Sequence, residues 1–266
     1  MTKLTDCDPR MLAAIGVVLC DLDDTLTLGG KLPAEAYAAL EAIATSGRRT
    51  VVVTGRPAGW CDLIARLWPV DGVVGENGAF YFRYDAARRQ MIRRFLRTDG
   101  QRAQDRQTLK TWFATLKQTY PQLKLSADQD YRISDIAIDV CEDVAPLAEA
   151  EVQAIIAALT RLGATVKLSS IHINAWIGQF DKLSMSETYL TDELGIAPDD
   201  LTKRVLYIGD SPNDEPMFAF FTATVGVQNI AKYLAQMADG PAFLTERPGG
   251  LGFAEMVRCL TAVKPE

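Results

Sequence analysis

The chain has 266 residues, 48% of them hydrophobic, which is enough for one large core with a second, smaller module attached. Its 28 basic and 34 acidic residues leave a net charge of -6, so the molecule as a whole repels a polyanion and nucleic acid is not an expected partner. A small anionic substrate needs only a local positive site.

In chain order, the N-terminal MTKLTDCDPR has no basic segment followed by a long apolar run, and the apolar stretch ending at Cys20 is too short to span a bilayer. The five cysteines (Cys7, Cys20, Cys61, Cys141, Cys259) are odd in number, scattered and never in a CxxC spacing, which argues against a disulfide framework and a zinc site. A cytoplasmic protein with no membrane partner is therefore expected. Residues 15–20, IGVVLC, read as a buried parallel strand that ends abruptly in acidic residues. Ala36, Leu40 and Ile43 recur at helical spacing between Pro33 and Ser46, with Gly47 as a stop. A second strand, TVVVT, follows at 50–54, then a helix near 58–67 and the strand GVVG at 72–75. This alternation indicates an α/β fold built on a doubly wound parallel sheet.

The pattern changes after Asn77. AFYFRY and MIRRFLR read as two paired strands that open a different module, followed by a helix near 101–119, the alternating strand ISDIAIDVC, a helix at 146–161, and a closing pair of strands, ATVKLSS and IHINAWI. The parallel-sheet grammar then resumes with a helix at 182–194, the strand RVLYIG, a helix near 213–220, the strand ATVGV, a helix near 230–238 and a last helix from Gly250. The expectation is a Rossmann-like core formed by 1–83 and 181–266, interrupted by an α+β cap at 84–180.

The chemistry concentrates at strand ends. Asp21, Leu22, Asp23, Asp24, Thr25 and Leu26 follow the first strand, Thr54 closes the second, Asp210 closes a later one in GDSPND, and Lys182 opens the helix after the insert. In an open parallel sheet the carboxyl ends of strands converge on one crevice however far apart they are in sequence. A phosphomonoester dianion about 4 Å from a carboxylate meets repulsion of roughly 8 kcal/mol at an effective dielectric of about 20, so an unassisted aspartate excludes such a substrate. A Mg²⁺ ion held by Asp21 and Asp210, with Lys182 adding positive charge, reverses that sign. Short acidic turns are common, and acidic residues are favoured in a helical first turn such as that holding Asp214 and Glu215. Lys182 is different: a cation beside a helix N-terminus is mildly unfavourable by itself and is better explained by a bound anion.

These motifs resemble the haloacid dehalogenase-like hydrolase superfamily in its type IIB branch, with Glu76, Asn77, Gly78 and Ala79 similar to that branch's approach to its cap. The resemblance implies that Asp21 attacks phosphorus to form an aspartyl phosphate and shares Mg²⁺ with Asp210 and the backbone carbonyl of Asp23. It also implies that the Asp23 side chain is the acid and base, that Thr54 and Lys182 bind the phosphate, and that Asn213 and Asp214 support the site, Asp214 by orienting Lys182. Dehalogenases and ion-pumping ATPases of this superfamily lack an acid at the position of Asp23, so the resemblance points to a phosphatase or a phosphomutase. The only histidine is His172, in the insert, which leaves a Ser/His/Asp or Cys/His scheme a single possible base; no GxGxxG follows a strand and no GxxxxGK[ST] is present.

The insert resembles a cap that closes over the site and selects the leaving group. Its basic run, Arg88, Arg89, Arg93, Arg94 and Arg97, reads either as an attraction for an anion or as a solvated strand face. Alternation places His172, Asn174 and Trp176 on one strand face and Ile171, Ile173 and Ala175 on the other. His172 and Asn174 are thus candidates for substrate contact, with a structural histidine as the alternative. The segment Gln179 to Lys182 resembles phosphomannomutases and the phosphatases of sucrose phosphate and mannosyl-phosphoglycerate. The partner implied is a small phosphorylated metabolite, a sugar phosphate foremost; a phosphomutase and a silent sugar-phosphate binding module remain alternatives.

Overall fold

The computed structural model describes residues 2–4, 7–169 and 171–265. Among them are twelve strands: β1 (Thr2–Lys3), β2 (Val17–Cys20), β3 (Arg49–Val53), β4 (Gly72–Gly75), β5 (Phe80–Asp85), β6 (Gln90–Phe95), β7 (Asp135–Asp139), β8 (Thr165–Leu168), β9 (His172–Trp176), β10 (Val205–Gly209), β11 (Ala223–Gly226) and β12 (Phe243–Leu244). Nine of these make one sheet in the order β1-β12-β11-β10-β2-β3-β4-β5-β6, parallel from β1 through β4. The other three make an antiparallel sheet in the order β7-β9-β8.

The inner parallel strands are apolar on both faces because helices cover both faces. Val18 and Cys20 of β2 point into one buried layer with Leu40, Ile43 and Phe253, while Val17 and Leu19 point into the other with Tyr189, Leu190 and Tyr207. β2 therefore cannot shift register by one residue without exchanging its two packing surfaces. It lies between β3, which follows it in sequence, and β10, which arrives only after the insert. That reversal of strand order opens a crevice at the carboxyl ends, the position at which α/β sheets bind ligands.

The hairpin of residues 80–95 corrects the boundary drawn from sequence. β5 pairs antiparallel with β4, and β6 with β5, so both strands extend the large sheet. Residue 84 lies inside β5, and the insert's own helices and strands run from Asp99 to Trp176. The change of pattern after Asn77 marks the switch from parallel to antiparallel pairing. Phe80, Tyr81 and Phe82 are all buried, as inner-strand residues are. The basic run accordingly lies largely on the outer edge of this sheet: Arg93 pairs with Asp62 and stacks over Phe82, Arg88 pairs with Asp85, and Arg97 pairs with Asp105.

The three-stranded sheet has a core of its own, in which Ile136, Ile138, Ile173 and Ala175 pack on Leu109, Leu116, Ile155 and Leu159 of the helices Asp99–Thr119 and Glu149–Arg161. The alternation expected in β9 is present, with His172 and Asn174 on the face opposite to Ile173 and Ala175. Ser170, in the expected ATVKLSS strand, lies outside the described residues. The helix expected near 230–238 is instead two short 3-10 turns, Gln228–Lys232 and Leu234–Gln236.

Candidate active site

Strand register brings the site together. Cys20 pairs with Ile208 on one side and Val52 on the other. One residue further on, Asp21 leaves the sheet beside Gly209 and Val53, with Asp210 and Thr54 just beyond.

Asp21, Lys182, Asp210 and Asp214 are each at most 6% exposed. The helix Lys182–Asp192 begins under an Asp181 and Ser184 capping box, and its first residue turns inward. Lys182 Nζ donates to Asp21 Oδ1 at 2.6 Å and to Asp214 Oδ1 at 2.8 Å. Asp214 accepts three further hydrogen bonds, from Tyr207 Oη at 2.5 Å and from the backbone N–H groups of Asp210 at 3.1 Å and Ser211 at 3.4 Å. The carboxylate of Asp214 is saturated and holds Lys182 in place. Helix-dipole placement does not explain it, because its side chain is turned away from solvent at 0% exposure.

Burial alone would lower the Lys182 pKa, but Asp21 and Asp214 outweigh it and raise it above the ordinary lysine value. Asp21 is pushed up to about 7, by burial first, with Lys182 opposing. Asp210 is pushed up by burial and by the charge of Asp21. Its only side-chain hydrogen bonds among the described residues are long ones, from Thr25 Oγ1 at 3.4 Å and Asn229 Nδ2 at 3.3 Å. One ligand oxygen from each of Asp21, Asp210 and Asp214 falls within 4.8 Å of the others. Three carboxylates around one ammonium leave an excess of negative charge that a divalent cation offsets. Since Asp214 is already saturated, Asp21 and Asp210 are the pair fitted to hold that cation.

A second ionic group faces the same space. Arg56 grips both oxygens of Asp23, with Nη2 at 2.8 Å from Oδ1 and Nε at 3.0 Å from Oδ2. The same guanidinium reaches the insert, donating to Glu142 at 2.9 Å and Asp128 at 3.4 Å, and its planar face lies over Trp60. Glu142 Oε2 in turn lies 2.8 Å from His172 Nε2. His172 and then Arg56 hold the Glu142 carboxyl down at about 2, against the effect of burial.

Asp21, Asp23, Asp210, Asn213, His172 and Asn174 line one polar cavity of about 20 Å³, little more than a water's space. Beside it, sharing Asp23 and Arg56, lies an apolar cavity of about 510 Å³ lined by Leu22, Trp60, Leu63, Trp68 and Tyr131. Lys182 reaches the polar cavity's floor through Asp21. Thr54 is not part of its lining; buried beneath it, Thr54 accepts the Arg56 N–H at 3.0 Å and leaves its own hydroxyl proton to donate.

The family model for haloacid dehalogenase-like hydrolases matches residues 18–99, the stretch that contains Asp21, Asp23 and Thr54. The fold as a whole is shared with a haloacid dehalogenase-like hydrolase from Bacteroides thetaiotaomicron, at 16% identity and a TM-score of 0.65, over 92% of this chain and 98% of that one. The chain has the haloacid dehalogenase-like hydrolase fold. It is similar in the same way to the sucrose-phosphatase of Synechocystis, solved with sucrose and phosphate, at 15% identity and a TM-score of 0.62 over 92% and 97% of the two chains. A subclass IIB sugar phosphatase of the superfamily matches at 14% identity and a TM-score of 0.59, over 86% and 92%. No curated protein sequence matches significantly.

Several residues of this site carry no sequence signal of their own. Arg56 sits two positions after Thr54 and is marked only by that proximity. Tyr207 looks like any buried strand aromatic. Asn229, whose Nδ2 also donates to the Asp24 carbonyl at 3.1 Å and whose Oδ1 accepts the Gly249 N–H at 2.9 Å, lies in a turn with no motif. Glu142 and Asp128 become visible only once the insert is placed against the large sheet.

Proposed function

We propose that this chain is a Mg²⁺-dependent phosphatase acting on a small phosphorylated metabolite, with sugar phosphates as the first class to test. The observation that carries the proposal is the Asp21 carboxylate, fixed at 2.6 Å from a buried Lys182, beside the weakly held Asp210 and two residues before Asp23. When bound to the carboxylates of Asp21 and Asp210 and the backbone carbonyl of Asp23, Mg²⁺ supplies charge neutralisation that lets a phosphate dianion approach.

One oxygen of Asp21 attacks phosphorus, and the bond from phosphorus to the ester oxygen breaks as the aspartyl phosphate forms. Lys182, held by Asp214, and the hydroxyl of Thr54 stabilise the charge on the transferring group. Asp23 gives its proton to the departing oxygen, then takes one from the water that attacks phosphorus and releases phosphate and Asp21. Both Asp23 oxygens face Arg56 donors, so carrying a proton there requires that grip to loosen. Glu142 and Asp128, both in the insert, share the same guanidinium, so movement of the insert bears on the hold on Asp23. The polar cavity is too small for a phosphate, so substrate entry requires the insert to lift. The neighbouring 510 Å³ cavity gives the leaving alcohol room beside Asp23.

The sugar-phosphate reading is supported by the likeness to the sucrose-phosphatase and the subclass IIB sugar phosphatase, and by the polar pair His172 and Asn174 over the cavity. The test is phosphate release from a panel of phosphorylated sugars and glycerates with Mg²⁺, with a chelated control. Selective, metal-dependent release supports the proposal. Movement of phosphate between sugar positions without release would replace it with a mutase, and activity unchanged by thorough chelation would remove the metal from it.

A further inference from the structure

Three consecutive residues, Glu76, Asn77 and Gly78, hold left-handed backbone, with φ of 44°, 55° and 102°. Glu76 carries a side chain that disfavours it, while Asn77 is of the type that tolerates it best after glycine, and strain such as that at Glu76 persists only where the surroundings enforce it. The Glu76 carboxylate accepts four backbone N–H groups, from Ala58 at 3.0 Å, Ile133 at 3.0 Å, Ser134 at 2.6 Å and Asp135 at 3.2 Å. The Asn77 N–H donates to the Thr54 carbonyl at 3.1 Å, and the Glu76 N–H to the Arg56 carbonyl at 3.2 Å. Gly78 lies so close to the next element that a Cβ there would sit 1.9 Å from the Asp181 carbonyl oxygen. The loop is thus wedged between the strand end that carries Thr54 and the helix start that carries Lys182.

This wedge aims one side chain. Asn77 is 5% exposed, lies over Gly55 and lines both the polar cavity and a small neighbouring one that Lys182 also lines. Among the described residues its buried Nδ2 has no hydrogen-bond partner. A buried donor left without an acceptor calls for an explanation. The polar cavity supplies it: a group arriving above Asp21 brings new acceptor oxygens between Thr54 and Lys182, where Asn77 sits.

We propose that Asn77 is a further substrate-binding residue whose side-chain N–H₂ donates to a non-bridging oxygen of the phosphoryl group. A neutral amide suits the position, because it adds a donor without a charge that would compete with Lys182 for Asp21. The proposal rests on the phosphatase reading above and extends it by one residue.

Two variants separate the amide from the backbone. Asn77→Gly removes the donor and accepts the left-handed conformation without strain, while Asn77→Asp keeps the shape and replaces donor by acceptor. With the preferred ester and Mg²⁺, Asn77→Gly is expected to lose about tenfold to a hundredfold in kcat/KM and Asn77→Asp more, with the inhibition constant of inorganic phosphate rising alongside. A purely structural Asn77 would lower the melting temperature and leave the phosphate constant unchanged, and that result overturns the proposal. Should wild-type protein release phosphate from no ester, the phosphatase reading fails by itself, and Asn77 is then judged by calorimetric titration with inorganic phosphate. Weaker binding by either variant than by wild type supports its role; equal binding, or none by wild type, ends it.

Discussion

The polar cavity is bounded by two ionic clusters that differ in what holds them. Asp21, Lys182 and Asp214 are buried, joined through the Lys182 ammonium and built from strand ends and a helix start around a single sheet. Arg56, Asp23, Asp128, Glu142 and His172 span the large sheet and the insert, and the side chains of Asp23 and Glu142 remain 26% and 30% exposed. The first cluster has one arrangement available to it. The second shares one guanidinium among three carboxylates and can repartition. In the proposed mechanism this places a rigid nucleophile beside an adjustable acid and base, which suits a reaction that must admit its substrate and then close over it.

Breaking the rigid cluster has the largest expected effects. Asp21→Asn removes the proposed nucleophile while preserving shape, and turnover should fall by about 10⁴-fold or more with the fold intact by circular dichroism. Lys182→Met leaves Asp21 and Asp214 buried without their cation. That change should destabilise the protein by about 3–5 kcal/mol, measured by denaturant titration, and reduce kcat as well. Tyr207→Phe removes one of the bonds that saturate Asp214. A loss of about 1.5–3 kcal/mol in stability, with a smaller fall in kcat than for Lys182→Met, is the outcome that keeps Asp214 as the residue holding Lys182.

The adjustable cluster should respond more weakly, and to pH. The folded-state pKa of Glu142 is depressed to about 2 from an ordinary 4.5, so the stability it contributes is fully present above about 4.5 and is lost as pH falls through about 2. Glu142→Gln should therefore be less stable than wild type at neutral pH, with the gap closing below pH 4.5; a gap independent of pH would show that packing, not charge, sets the effect. Added salt should weaken this cluster more than the buried one, read as a larger salt dependence of KM than of melting temperature.

The same contrast explains what is legible in the residue pattern. Asp21, Thr54 and Asp210 follow short β-branched strands, and parallel sheets bring strand ends together, so their meeting can be read from the order of strands and helices alone. Lys182 follows from its unfavourable position at a helix start. His172 and Asn174 follow from alternation in one strand. The hairpin of residues 80–95 misleads because antiparallel pairing begins there and imitates a new module, while the loop that permits it depends on left-handed backbone at Glu76 and Asn77. Arg56, Glu142 and Asn229 act through contacts between distant segments, and neither periodicity nor spacing encodes such contacts; Tyr207 reaches Asp214 nearby but looks like any buried strand aromatic.

The decisive step of the proposed mechanism is the formation of a covalent phosphoryl intermediate on Asp21. It can be observed by mass spectrometry of peptides from protein mixed with Mg²⁺ and its preferred ester and quenched in acid within one turnover. Nucleophilic attack by Asp21 predicts a phosphoryl group on the peptide containing that residue, absent after chelation and absent in Asp21→Asn. Turnover at full rate with no phosphorylated peptide, or with the group on another residue, would contradict it.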